Sequence, residues 1–86
     1  MINNDYELNL DDERHRASLL FKKQIRVHVT KKDGIFHNGL IIELSKDFFV
    51  IDDLIKGEQL VLFTDLRKSI EIYNDIKEVG DGTRTN

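Results

Sequence analysis

The first repeating hydrophobic pattern of the chain has helical spacing. Leu10, Ala17, Leu20 and Phe21 fall near one face of a helix that the pattern predicts over about residues 11–23. Acidic residues open this stretch and two lysines close it, as the helix dipole favours at both ends. A single apolar stripe indicates that the helix packs on another element.

After the helix, the hydrophobic period changes to two. Residues 24–30 alternate between apolar and polar, which predicts a half-exposed strand. Further strands are predicted at 35–44, 48–51, 59–64 and 69–73, joined by connections at 31–34, 45–47, 54–58 and 65–69. Strands two and three carry apolar residues on both faces, which predicts burial on two sides. A helix followed by five short strands is typical of a small antiparallel barrel.

Two glycines have predicted structural roles. Gly34 ends the hairpin loop that begins at Lys31, where a positive φ is needed. Gly39 interrupts the second strand, and a glycine there marks a sharp bend or the close approach of another backbone.

The length of 86 residues predicts one domain, over residues 11–74, with flexible ends at 1–10 and 75–86. A domain of this size buries only about 60–65% of its unfolded surface, and the chain has no cysteine for a disulfide. Oligomerisation is therefore expected as a source of stability. The apolar runs are far shorter than the roughly 20 residues of a membrane span, and the acidic N-terminus is unlike a signal peptide. These features predict a cytoplasmic protein that does not bind membranes.

The charge is unevenly distributed along the chain. The net charge is −3, yet residues 14–32 hold seven basic residues and no acidic one. The rest of the chain holds six basic and all sixteen acidic residues. One interpretation is a positive face on an acidic body; the other is an ordinary solvated surface of a helix and an edge strand.

No catalytic constellation is present in the sequence. The three histidines lack the i, i+4 spacing of a helical metal pair, and there is no glycine-rich phosphate loop. Asp52 and Asp53 are adjacent strand residues that point to opposite faces, so they are expected to end a strand rather than bind a metal. At least one of Phe48 and Phe49 is expected in the core. The sequence thus predicts a protein that is not an enzyme, with no cofactor, metal or small-molecule substrate.

A longer pattern is carried by five segments, namely Val27–Thr30 with its Lys32–Gly34 hairpin, Phe36–Ile41 (aromatic-x-x-Gly-x-hydrophobic), Leu44–Ile51, Leu60–Thr64 and Ile70–Tyr73. It resembles the Sm-like superfamily of Sm, Lsm and Hfq proteins. The resemblance implies a mainly β fold, with an N-terminal α-helix followed by a strongly bent five-stranded antiparallel barrel of SH3 type. It also implies a ring of five to seven subunits, in which the fourth strand of one subunit pairs with the fifth of the next.

The base-reading residues of that family are not matched here. Its Asp-x-x-Met-Asn turn is replaced by Ser45–Phe49, and its Arg-Gly pair by Thr64–Lys68. The resemblance therefore implies only where an RNA site would lie, because these two turns line the pore of the family's rings. The predicted RNA-binding residues, from these turns and from the basic stretch, are Lys46, Asp47, Phe48, Arg67, Lys68, Arg14, Arg16, Lys22 and Lys23.

Two functions remain open from the sequence. One is a ring that binds single-stranded RNA without catalysis, through basic residues that meet phosphates. The other is a structural or adaptor ring that makes only protein contacts, which the missing signature residues favour.

Overall fold

The computed structural model describes residues 8–74 and confirms a helix followed by a five-stranded antiparallel sheet. The predicted flexible ends at 1–10 and 75–86 lie outside the described residues, except for residues 8–10, of which Asn9 caps the helix and Leu10 begins it. The elements are α1 (Leu10–Lys23), β1 (Val27–Thr30), β2 (Phe36–Leu44), β3 (Phe48–Asp53), β4 (Gly57–Leu62), a 3₁₀ turn (Phe63–Asp65) and β5 (Glu71–Ile72).

Side chains and backbone groups cap both ends of α1. The Asn9 side chain accepts a hydrogen bond from the Asp12 N–H at 3.1 Å. At the other end, Gln24 adopts the left-handed conformation with a φ of 56°. The N–H groups of Gln24 and Ile25 then donate to Phe21 and Leu20, both at 3.1 Å, as in a Schellman motif. Gln24 therefore ends the helix, and β1 starts at residue 27 rather than at the predicted 24.

The strands lie in the order β4-β3-β2-β1-β5, and every neighbouring pair is antiparallel. This order puts β4 and β5 at opposite edges of the sheet. Closure of the sheet into a barrel stays a prediction. β4 spans 57–62 where 59–64 was predicted, because the chain turns into the 3₁₀ turn at Phe63. β5 is limited to 71–72.

The segment after β4 is hydrogen-bonded to two separate places in the sheet. The Phe63 N–H donates to the Asp47 carbonyl at 3.0 Å, in the turn between β2 and β3. Four residues later, the Arg67 N–H donates to the Thr30 carbonyl at 2.8 Å, at the end of β1. One short segment can reach both places only because the sheet is strongly curved. Phe63 and Leu66 are buried in the core inside this curve.

β2 buries only one of its two faces. His37, Gly39 and Ile41 point into the core, while Phe36 and Ile42 are 54% and 40% exposed. The predicted burial of β2 on both faces is therefore wrong for the isolated chain. The neighbouring strand β3 buries Phe49 and Ile51 fully, which confirms that at least one of Phe48 and Phe49 lies in the core. The other face of β3 is only half-buried at Phe48 and Val50, so burial of β3 on both faces is wrong as well.

Both predicted glycine roles are confirmed. Gly34 has a φ of +90° in the hairpin loop. A Cβ atom on Gly39 would lie 1.9 Å from the Asp52 carbonyl oxygen, so β3 approaches this position too closely for any side chain.

Candidate functional site

Arg14 joins α1 to the turn between β2 and β3. Its Nε donates to the Lys46 carbonyl at 2.7 Å, and one terminal nitrogen pairs with Asp11 at 2.8 Å. The guanidinium carbon also lies 5.7 Å from the centroid of the Phe63 ring, within the range of a cation–π contact. The guanidinium of Arg14 thus makes contacts within the fold, and the side chains of Lys46 and Asp47 remain exposed beside it.

Phe48, the third predicted residue near this turn, is half-buried at the start of β3. It pairs across the sheet with Leu62 of β4, on the face opposite the buried Phe49. Phe48 therefore belongs to the outward face of the sheet next to the β4 edge.

Arg67 and Lys68 follow the 3₁₀ turn, and both are exposed. Lys68 lies 3.7 Å from Glu71, and both of these side chains are about half exposed. Arg67 lines a cavity of about 500 Å³ together with Lys32 and Thr64. The apolar part of its lining consists of Leu8, Leu10, Phe63 and Leu66. We call this the loop-end cavity; it has two cations and a hydroxyl around an apolar floor.

The structure separates the other predicted basic residues from this cavity. Arg16 lines a different hollow, with Leu19 and Ser69, on the other side of the helix. Lys22 and Lys23 are exposed in the last turn of α1. Nine residues of helix put Lys23 about 14 Å along the axis from Arg14.

Lys32 was not among the predicted site residues, although it belongs to the basic stretch 14–32. Its position on the cavity depends on a hydrogen bond from its own N–H to the Asp65 carbonyl at 2.9 Å. Thr64 was not among the predicted site residues either, although it begins the turn Thr64–Lys68. A backbone contact between residues so far apart leaves no local signal in the sequence.

Asp53 and His37 form a buried pair that the sequence pattern did not indicate. The His37 ring donates from Nδ1 to Asp53 Oδ2 at 2.8 Å, and the side chains are only 3% and 7% exposed. Asp53 Oδ1 accepts the N–H groups of Ile55 and Lys56 at 2.8 and 2.9 Å. The N–H of Lys56 lowers the pKa of Asp53 most; burial raises it, and Ile55 and His37 lower it further, to about 2.

This arrangement gives Asp53 a structural role at the end of β3. It fixes the β3–β4 turn, while Asp52 points to the opposite, exposed side, as the strand pattern predicted. Within residues 8–74, no three histidine, cysteine or acidic side chains come together in a way that would hold a metal ion.

Glu13 is the other buried acidic residue of functional interest, with 5% exposure. Its Oε2 accepts a hydrogen bond from the Ser69 hydroxyl at 2.7 Å, and its Oε1 accepts the Ile70 N–H at 2.9 Å. The helix is thereby bonded to the segment that immediately precedes β5.

Apolar side chains are exposed at both edges of the sheet. Leu60 and Leu62 of β4 are 55% and 47% exposed, and Ile72 of β5 is 56% exposed. Exposed apolar residues along an edge strand favour association with another strand.

No family model, curated protein or solved structure matches this chain. Within the part of the chain that the structure describes, no helix has the length and apolar character needed to cross a membrane.

Proposed function

We propose that the chain is an Sm-like subunit of a homo-oligomeric ring that binds single-stranded RNA without catalysis. The observation that carries the proposal is the strand order, which leaves β4 and β5 at opposite edges with exposed apolar residues on both. The assembly we propose is a ring of five to seven subunits in the cytoplasm. A chain without cysteine has no disulfide bond to lose in that reducing compartment.

Pairing of β4 with β5 of the next subunit satisfies two needs at once. It hydrogen-bonds the backbone groups that an edge strand leaves unpaired, and it covers Leu60, Leu62 and Ile72. Because β4 and β5 are different surfaces, the contact is head-to-tail, and repetition of such a contact closes into a ring when the rotation between neighbours allows it.

The loop-end cavity supports RNA as the ligand. Lys32 and Arg67 supply two cations for phosphates, and Thr64 supplies a hydroxyl for a sugar or phosphate oxygen. Repeated around a ring, these cations act together along one strand of RNA. Phosphate contacts of this kind are weakened by salt, since binding releases counterions from the RNA.

A ring that binds only proteins is the second candidate, and a specific observation favours it. Ile35, Phe36, Leu54 and Ile55 are exposed around a cavity of about 370 Å³, and Ile55 reaches 91% exposure. Large apolar side chains grouped in this way are typical of protein contact surfaces. This candidate needs no role for the loop-end cavity.

The assembly is tested by the mass of the purified chain in native mass spectrometry and light scattering. We expect a mass of five to seven chains; a mass of one chain would overturn the ring. Leu62→Glu places a charge on the β4 edge and is expected to give monomers. Ile42→Glu changes an exposed isoleucine on β2, the central strand of the sheet, and serves as the matched control.

RNA binding is tested by gel mobility of short oligo-U and oligo-A RNA at low and moderate salt. Arg67→Glu is expected to weaken binding by about tenfold or more and to flatten its salt dependence. Lys56→Glu makes the same charge change at the β3–β4 turn and is expected to have a much smaller effect. Absence of any shift at micromolar wild-type protein in low salt would overturn RNA binding and leave the protein-contact ring.

A further inference from the structure

Glu13 is bonded to the segment next to the β5 edge rather than to its own helix. It lies in the first turn of α1, where an acidic residue suits the helix dipole whatever else it contacts. Both of its carboxylate oxygens accept hydrogen bonds from residues 56 and 57 positions later in the chain. A carboxylate that is 5% exposed and has both oxygens used is a strong point of attachment.

β5 itself is short and pairs with only one strand of the sheet. The strand has two residues, and its register with β1 consists of Val27 opposite Ile72 and His28 opposite Glu71. The Tyr73 N–H adds one hydrogen bond to the Arg26 carbonyl at 2.9 Å. Two-residue strands are marginal on their own, so the conformation of the residues just before them matters.

Ile70 shows how the attachment controls the strand. Its side chain is 1% exposed in the core, while its N–H donates to Glu13. Both its side chain and its backbone are therefore fixed one residue before β5 begins. The chain then continues into Glu71 and Ile72 at the outer edge of the sheet. There β5 pairs with β1 on one side, and its other side is open to a further strand.

We propose that Glu13 is a positioning residue for self-assembly, which holds β5 in the conformation that a second copy of this chain recognises with its β4 edge. This inference rests on the proposed ring and adds a residue that controls it. Glu13 touches no partner; it acts through Ser69 and Ile70. Loss of its carboxylate leaves only the buried Ile70 side chain to hold the start of β5. More of the strand must then be ordered at the moment of association, which weakens binding.

The test compares assembly with stability in the same set of variants. Glu13→Ala removes both hydrogen bonds, and Glu13→Gln keeps an oxygen for the Ile70 N–H and a donor for Ser69. Ser69→Ala removes one of the two hydrogen bonds and takes the place of Glu13→Ala in the test if that variant does not fold. Ile51→Val, a core change away from β5, is the control for loss of stability alone. Each variant is measured for its midpoint of urea unfolding, its assembly midpoint concentration and the hydrogen exchange of residues 71–73.

We expect Glu13→Ala to raise the assembly midpoint by about tenfold or more and to speed exchange at residues 71–73. Glu13→Gln should restore most of the assembly and most of the exchange protection that Glu13→Ala loses. Ile51→Val should change the assembly midpoint and the exchange rates only as far as its lower stability to unfolding accounts for. If Glu13→Ala or Ser69→Ala assembles as Ile51→Val does, the inference is overturned while the ring stands. A wild-type chain that stays monomeric overturns the proposed ring and this inference together.

Discussion

Replacement of Gly39 by alanine should be among the most damaging single changes to this fold. The added Cβ would lie 1.9 Å from the Asp52 carbonyl oxygen and 2.8 Å from the Asp52 carbonyl carbon. An ordinary carbon–oxygen contact is about 3.3 Å, so the backbones of β2 and β3 would have to separate by more than about 1 Å. Gly39 cannot shift away freely, because it also pairs with Val27 of β1 on its other side.

The expected cost is about 3 kcal/mol or more, at the upper end of what overpacking of a core causes. For a domain of this size, that lowers the melting temperature by about 12 °C or more. Urea and thermal unfolding followed by far-UV circular dichroism measure both quantities. The chain has no tryptophan, so this signal is preferable to fluorescence.

Gly57→Ala is the matched control for this prediction. Gly57 has a φ of +81°, but nothing lies within 4 Å of a Cβ placed there. Its substitution should therefore cost only the conformational strain of about 1–2 kcal/mol. If Gly39→Ala is no more destabilising than Gly57→Ala, the close approach of β3 does not constrain this position and the reasoning is wrong.

Three further changes test separate contacts. The native pKa of Asp53 is about 2, below its ordinary 3.8. Its contribution to the free energy of unfolding is therefore present above about pH 4 and is lost as the pH falls toward 2. Asp53→Asn should cost on the order of 2 kcal/mol at pH 7 and lose less stability than wild type in acid urea titrations; an unchanged acid slope would contradict this. Gln24→Gly should raise the unfolding free energy by about 0.5–1 kcal/mol, because its φ is 56°, and a decrease would contradict the strain. Arg14→Lys should cost about 1 kcal/mol in urea unfolding by losing the bond to Lys46 while keeping the charge, whereas Arg16→Lys should cost nearly nothing.

The helix was predictable from the sequence because its signals are local. Charges at both ends and one apolar stripe gave bounds that differ from those of the structure by one residue at the start. The start of β1 was not predictable in the same way. Gln24 adopts a left-handed conformation that favours glycine, and a glutamine at that position resembles the first residue of the alternating strand.

The buried face of β2 was harder to predict. Phe36, Leu40 and Ile42 favour one face by hydrophobicity, yet the core takes the other face, which carries His37 and Gly39. His37 is accepted there because Asp53, sixteen residues later, accepts its Nδ1 hydrogen bond. Gly39 is accepted because β3 passes over it. Both reasons are tertiary contacts, which the hydrophobic pattern of a single strand does not reveal.

The candidate site was predictable only in part. Arg67 was expected at the turn after β4, and it lines the loop-end cavity there. Arg14 and Lys46 were both expected as surface residues for RNA, but the bond that joins them spans 32 positions and has no sequence signature. Glu13 is one of the acidic residues that open the helix, and the helix dipole that explains such residues gives no hint of Ser69 or Ile70.

The bonds of Glu13 also set the order in which this chain can be completed during synthesis. The helix leaves the ribosome first, but the two groups that satisfy its buried carboxylate, in Ser69 and Ile70, are made 56 and 57 residues later. Contacts of such long sequence separation slow folding, because a large loop must close before they form. In the emerging chain the Glu13 carboxylate is hydrated by water, and it can be buried with its hydrogen bonds only after Ser69 and Ile70, near the end of the described domain, have been translated.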